Sequence, residues 1–231
     1  MVKTVLTAED SARVSHAILL AERETSGEIF CVLARRVSSY HDVALGWAAA
    51  AALLAPLALV PLGFDAAWLP GVADSWEAGQ LAARDQVVGQ ALAAYAMLQA
   101  LIFGGAFALA SIPAVKRVLT PPALRRARVR RAAVSQFLSH GLHLTQARTG
   151  ILIFAALDDR QVEVVADEGI HGRVEEDVWA EAVGRLTHAL KRGEAAEGFE
   201  AAIGQVGAVL AAHFPPRPRD PDELPNRLVE M

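Results

Sequence analysis

The chain has 231 residues, of which 53% are hydrophobic, and a formal net charge of −4. This mildly acidic balance does not favour a nucleic-acid partner, and the mean hydropathy of +0.29 is high for a soluble domain. The single cysteine, Cys31, excludes an internal disulfide and lies in the apolar run EIFCVLA, where it suits a protein core.

Residues 1–41 predict one helix followed by one strand. Thr7 with Asp10 three residues later is typical of a helix N-terminus, and Val14 and Ile18 then recur at helical spacing. The pair Ser26-Gly27 ends this helix, and EIFCVLA follows as a buried strand. Charged residues interrupt the first stretch before an apolar run can form, so no cleavable signal is expected. A single helix and strand are too small to bury a core alone.

Residues 42–115 predict a transmembrane hairpin of two helices. Neither 45–64 nor 86–115 contains a charged residue, and each reaches the roughly 20 residues that a membrane span requires. Pro56 and Pro61 are tolerated within a span. The alternative is a pair of buried helices in a large soluble core, but such helices normally show a polar face. Because neither span holds an ionisable side chain, a transporter subunit is the least favoured function.

Basic residues flank the predicted hairpin on both sides, whereas the loop 65–85 between the spans is acidic. Arg35 and Arg36 precede the first span, and a basic juxtamembrane helix over 116–135 follows the second. Its basic residues are Lys116, Arg117, Arg125, Arg126, Arg128, Arg130 and Arg131. Since basic flanks stay in the cytoplasm, we expect a multi-pass protein of a bacterial inner (plasma) membrane with both termini cytoplasmic and the loop outside. These residues either contact anionic lipid headgroups or only determine topology.

Residues 136–214 predict the remainder of an α/β domain. The unbroken apolar run 151–154 is typical of a central strand, and the alternation over 161–166 indicates a partly covered strand. Asp158, Asp159 and Arg160 occupy the turn between these strands. Two amphipathic helices follow, and the proline-rich tail 215–231 is predicted to be disordered.

Three segments together resemble the TPM domain family: LTAEDSARVSHAILLAERETSGEIFCVL, TGILIFAALDDRQVEVVADEGI and AAEGFEAAIGQVGAVLAAHF. The most specific elements are Thr149-Gly150, Asp159-Arg160, Gly169 and Gly198. The resemblance implies an α/β/α sandwich, a small sheet with helices on both faces, and is closest to the branch in which a transmembrane hairpin interrupts the domain. The family includes thylakoid-lumen and bacterial envelope proteins that are sometimes described as phosphatases.

The chain departs from this family pattern at two places. The segment MVKTV lacks the acidic residue that many relatives carry before the first helix. Asp167-Glu168-Gly169 stands where relatives often have a Gly-aromatic-Gly segment. Both places correspond to the divalent-metal or catalytic pocket that the resemblance implies, so the departures argue against carrying the family's activity over.

Asp158 and Asp159 are the candidate metal ligands, since paired carboxylates bind hard cations such as calcium or magnesium. The simpler interpretation is turn chemistry with a surface ion pair. Asp167 and Glu168 follow the second strand, about 20 Å away by strand rise, and one pocket cannot easily use both pairs. His140 and His143, three residues apart, are a zinc candidate, but no Cys or acidic residue lies near them, and a solvated or capping role near Gly141 is favoured. His171, in a loop beside Gly172, is a candidate phosphoenzyme histidine.

Two functional hypotheses follow. The first is a membrane-anchored, non-catalytic accessory module that binds a protein partner, another copy of itself or a divalent metal. The second is a metal-dependent phosphatase. The two departures favour the first, and the sequence contains no phosphate-cradling glycine loop, nucleophile elbow or Cys-His pair.

Overall fold

A computed structural model describes residues 6–59, 81–174, 176–217 and 223–231. Contacts divide the chain into two compact units. The α/β unit comprises Met1–Ser39 and Pro122–Met231, and the helical unit comprises Tyr40–Pro121. The α-helices of the described residues are α1 (Ala8–Glu22), α2 (His41–Leu59), α3 (Leu81–Ser111), α4 (Pro113–Leu119), α5 (Pro122–Ser139), α6 (Glu168–His171), α7 (Ala180–Arg192) and α8 (Ala195–His213).

The α/β unit is built on a mixed four-stranded sheet. Its strands are β1 (Glu28–Ala34), β2 (Gly150–Ala156), β3 (Gln161–Ala166) and β4 (Leu228–Glu230), in the order β3-β2-β1-β4. β1 runs parallel to β2 and to β4, and β2 and β3 form an antiparallel hairpin. The predicted α/β fold with a small sheet is therefore confirmed, and β1, from the first segment of the chain, is one of the two central strands.

Helices cover both faces of this sheet. On one face α1, α7 and α8 enclose a core that contains Ile18, Leu186 and Phe199. On the other face Val129, Ala133 and Phe137 of α5 pack against side chains of β1 and β2. The predicted N-cap of α1 is also confirmed, because the Thr7 side chain accepts from the Asp10 backbone N–H and the Asp10 carboxylate accepts from that of Thr7.

The tail 215–231 was predicted to be disordered, and for its last residues this is wrong. Leu228–Glu230 forms β4, and the Met231 backbone N–H donates to the Leu33 carbonyl at 3.0 Å while the Arg35 N–H donates to the Met231 carbonyl at 2.8 Å. The physical reason is that β1 would otherwise present an open edge, which a short segment can cover. Residues 218–222 of the predicted tail lie outside the described residues.

In the helical unit, two predicted boundaries need correction. α3 ends at Ser111 rather than near Val115, because Pro113 holds Ile112 in an extended conformation, and the axes of α3 and α4 differ by 96°. The predicted continuous helix 116–135 is instead two helices, broken at Thr120-Pro121. The predicted loop 65–85 lies outside the described residues up to residue 80, and 81–85 belong to α3.

Within this unit, α2 buries small side chains and exposes large apolar ones, whereas α3 also exposes small ones, among them Ala93, Ala96 and Ala100. On α2 the buried positions include Ala44, Ala48 and Ala52, whereas Leu53, Leu54 and Leu57 are each more than 60% exposed. Gln99 of α3 reaches across to α2 and donates to the Ala52 carbonyl at 3.5 Å. By length and composition, the segment His41–Ala58 of α2 could cross a membrane. Among the described residues, the bent pair formed by Tyr95–Ser111 of α3 and by α4 is a second candidate if the two helices are counted as one span.

Candidate functional site

The turn between β2 and β3 holds Asp158 and Asp159. The Asp158 carboxylate accepts from Arg36 Nε at 3.1 Å, and the Asp158 backbone N–H donates to the Arg35 carbonyl. Asp159 is buried, with 7% of its surface exposed, and Arg160 has a positive φ of 51°. The two carboxylates are therefore adjacent in sequence but differ in environment, and Asp158 makes the surface ion pair expected of a turn residue.

Asp167 lies at the other end of β3 and caps α6. Its Oδ1 atom accepts from the Glu168 backbone N–H at 2.8 Å and lies 3.7 Å from Arg148 Nη1. The Oδ2 atom is buried and has no hydrogen-bond partner among the described residues. The Asp167 carboxylate is thus a capping group beside a guanidinium, whereas Glu168 is exposed to solvent.

The structure does not bring the two acidic pairs together. In the β2–β3 register Ala156 faces Gln161 next to the turn, and Ile151 faces Ala166 at the opposite end. The pairs are therefore separated by the length of β3, about 20 Å by strand rise. Among the residues that the structure describes, no group of three or more His, Cys, Asp or Glu side chains could hold a metal ion. Asp158 and Asp159 alone supply only part of the six to eight oxygens that calcium takes.

The three candidate histidines, His140, His143 and His171, and the cysteine Cys31 lie in packing or surface positions. The His140 ring packs on Phe30 with centroids 4.5 Å apart. Partial burial, and then the nearby Arg227, lower the pKa of His140 from its ordinary value. His143 Nδ1 is buried without a hydrogen-bond partner in the described part of the chain, and His171 ends α6 with an exposed side chain. Burial raises the pKa of the Cys31 thiol far above its ordinary value, with Glu22 as a smaller cause, so this cysteine is an inert core residue.

The predicted basic residues divide between the two units. Lys116 and Arg117 lie in α4 of the helical unit, whereas the five arginines at 125, 126, 128, 130 and 131 lie in α5 of the α/β unit. Arg128 donates to the Ser38 hydroxyl at 2.6 Å, and Arg130 lies 3.5 Å from the Glu163 carboxylate. Arg126 and Arg131 are exposed.

A groove beside β3 is the feature that the sequence did not indicate. It has a volume of about 220 Å³ and is lined by Val162–Ala166, by Arg130 of α5, by His171 at the end of α6, and by Trp179, Ala180 and Val183 on the side of α7. The alternation within β3 identified a strand with one covered face, but no local signal shows that a strand lies at the edge of its sheet.

Comparisons with known proteins agree with this architecture. Residues 115–209 match the model of the family described as TPM domain. The match contains most of α4, all of α5, β2, β3, α6 and α7, and α8 except its end. It omits β4, and it omits α1 and β1, which the helical unit separates from the rest.

The NMR structure of the BA42 protein from the psychrophilic bacterium Bizionia argentinensis is similar, with a TM-score of 0.56 and 19% sequence identity. The similarity covers 100% of this chain and 99% of that one. No curated protein matches the chain. The fold is therefore a mixed α/β fold shared with BA42, and its segment 115–209 carries the similarity to the TPM domain.

Proposed function

We propose that this protein is a membrane-anchored TPM-like binding module, held in a bacterial inner membrane by the hairpin of α2 and α3, with both termini in the cytoplasm. In this proposal the α/β unit is a non-catalytic accessory domain that serves a protein partner. The observation that carries the anchor is the inverted distribution of side chains on α2, which buries alanines and exposes leucines.

Soluble helices bury their large apolar side chains and expose polar ones. α2 does the opposite, since its alanines at 44, 48 and 52 are buried while Leu54 and Leu57 are 62% and 66% exposed, and Leu101 of α3 is also 68% exposed. Helices in a bilayer pack through small residues, because lipid already solvates the large apolar ones. α2 runs from His41 to Leu59, about 28 Å at the helical rise, which suits a hydrocarbon core of about 30 Å.

The flanking charges support the orientation. Arg35 and Arg36 precede α2, and α4 carries Lys116 and Arg117 beside Val118, which is 84% exposed. Basic residues near span ends stay in the cytoplasm. A short helix with both basic and exposed apolar side chains also suits the interface, where each basic residue near anionic lipid contributes about 1 kcal/mol.

The environments of the acidic side chains support a non-catalytic role. Phosphoryl transfer needs an activated nucleophile and charge stabilisation within about 3 Å of the reacting atom. Asp158 is paired with Arg36, and Asp167 caps α6 at the opposite end of β3. A hard cation would find two carboxylates at the turn, which suits weak calcium or magnesium binding better than turnover.

Topology reporters test the anchor. A reporter fused after Met231 should behave as cytoplasmic, and one inserted at Ala78 as external. Leu54→Lys should lower the membrane-inserted fraction, because a lysine at the centre of a span costs about 2.5–3.5 kcal/mol on insertion scales. Leu144→Lys, at a position of the α/β unit that is 73% exposed, is the matched control and should leave insertion unchanged. An externally active C-terminal reporter, or extraction of the full chain by alkaline carbonate, would contradict the proposal.

A turnover assay discriminates the phosphatase alternative. We expect purified full-length protein with magnesium, calcium or manganese to show no hydrolysis of phosphate esters that depends on Asp158 or Asp159. The comparison is wild type against Asp158→Asn and Asp159→Asn, with calorimetry to detect weak metal binding separately. Robust hydrolysis abolished by either substitution would make the enzyme the better hypothesis.

A further inference from the structure

β3 is an edge strand whose free side opens into a groove. Among the described residues it pairs only with β2, and the groove of about 220 Å³ follows five consecutive residues of the strand, Val162–Ala166. Arg130 of α5 stands on one side of the groove, and Trp179 and Val183 stand on the other. This edge differs from a flat open edge, because side chains of α5 and of the α7 side flank it. Its outward backbone N–H and C=O groups are therefore accessible to a single extended strand but not to a broad surface.

The register shows which backbone groups face the groove. The Asp167 N–H donates to the Gly150 carbonyl, so residues 150 and 167 form a hydrogen-bonded pair of the antiparallel ladder. Such pairs alternate along a ladder, so Glu163 and Val165 bond to β2, whereas Val162, Val164 and Ala166 direct their N–H and C=O groups away from it. No other strand of the described residues pairs with these outward groups.

We propose that this groove binds an extended peptide segment of a partner protein, which adds to the sheet as a fifth strand beside β3. The proposal specifies the partner of the binding module proposed above and rests on that role, but it is independent of the membrane anchor. A single strand suits the groove, because α5 and α7 flank the edge on both sides. The β3 of a second copy would be recessed between its own two helices, so the two edges could not approach.

The chemistry of the two walls defines the peptide. Toward α7 the groove presents the apolar side chains of Val164, Trp179 and Val183. Toward α5 it presents Arg130, in a helix that carries five arginines and no acidic residue, and Glu163 is the acidic side chain paired with Arg130. An added strand alternates its side chains between these walls. The matching segment therefore alternates apolar residues, directed to α7, with acidic residues, directed to α5.

The test uses the full chain in nanodiscs of zwitterionic lipid, so that anionic headgroups do not compete for the arginines. The probes are fluorescent peptides of about six residues, a common strand length, that alternate Asp with Val or Lys with Val. We expect the Asp-Val peptide to bind at least about tenfold more tightly than the Lys-Val peptide. The amides of Val162, Val164 and Ala166 should become protected from hydrogen exchange when it binds.

Two variants separate the backbone and charge contributions. Val164→Pro removes an N–H that points into the groove and spares the β2 ladder, and we expect it to weaken peptide binding about fivefold to tenfold. Arg130→Glu should reverse the preference between the two peptides, an outcome that a merely unfolded protein cannot give. If Val164→Pro does not fold, as judged by circular dichroism, Arg130→Glu decides alone.

Three results would overturn the proposal. They are the absence of Asp-Val peptide binding up to about 1 mM, equal binding of both peptides by wild type and Arg130→Glu, and a dimer whose β3 amides are protected without peptide, which would assign the edge to a second copy. Each of these leaves the topology measurement unaffected, so failure of the groove and failure of the anchor are distinguishable.

Discussion

Three glycines that carry the resemblance lie where there is no room for a side chain. A Cβ atom at Gly150 would lie 2.4 Å from the Leu142 carbonyl oxygen, and one at Gly169 would lie 2.6 Å from the Arg148 carbonyl oxygen. At Gly198 it would lie 2.6 Å from Ala189 Cβ. Thr149, next to Gly150, is buried and donates to the Ser26 carbonyl at 2.9 Å. These glycines are therefore explained by close packing around β2, α6 and α8, and they give no evidence of a ligand site.

Gly169→Ala should destabilise the α/β unit by about 1–3 kcal/mol, because the Cβ meets backbone atoms that cannot yield without moving the chain. The matched control is Gly184→Ala in α7, where a Cβ would meet nothing within 4 Å. That change should stabilise the helix by about 0.5–1 kcal/mol, since alanine has the higher helix propensity. Denaturant unfolding of the full chain in detergent measures both. If Gly169→Ala left the free energy of unfolding unchanged, the backbone at Ala147 and Arg148, before β2, would have to move aside at no cost.

At the scale of secondary-structure elements, the sequence predicts the helices and strands whose own residues show a hydrophobic pattern. The run Ile151–Phe154 and the alternation in 161–166 identify β2 and β3, because burial on two faces and on one face leaves different patterns. β4 has no such pattern, since it contains only three residues after a proline-rich segment and depends on the edge of β1. The break between α4 and α5, in contrast, has a local signal in Pro121-Pro122, which the prediction of one helix over 116–135 did not use.

Truncation after Arg227 should destabilise the α/β unit by about 2–4 kcal/mol. It removes the burial of Leu228 and the two backbone hydrogen bonds between Met231 and the residues at the end of β1. It also opens the β1 edge, so we expect concentration-dependent self-association. Unfolding curves and light scattering measure these effects, and Pro216→Ala, in the exposed segment after α8, should leave both unchanged. Equal stability of the truncated chain would show that β4 contributes no net free energy.

At the scale of the whole molecule, the strands of one sheet come from two segments of the chain. β1 precedes the helical unit in sequence, and β2, β3 and β4 follow it. β1 pairs with β2 in the register Glu28↔Gly150, so neither flanking segment completes the sheet without the other. That interdependence could be predicted, because each segment alone offers too little apolar surface for a core. The groove beside β3 could not be predicted, since it arises only when α5 from before β2 and α7 from after β3 flank the same edge.

Replacing residues 40–121 with a Gly/Ser linker should give a soluble, folded α/β unit. The two ends that the linker joins, residues 39 and 122, lie near each other. Arg128 of α5 donates to the Ser38 hydroxyl at 2.6 Å, and Arg128 follows Pro122 by less than two helical turns. A flexible linker of about ten residues spans roughly 18 Å on average, which suits this separation. Dispersed proton spectra and slow exchange of β1 and β2 amides would show that the sheet has assembled. Spectra of an unfolded chain at every linker length would instead mean that the helical unit contributes to the core, so that the insertion is a structural part of the domain rather than an anchor added to it.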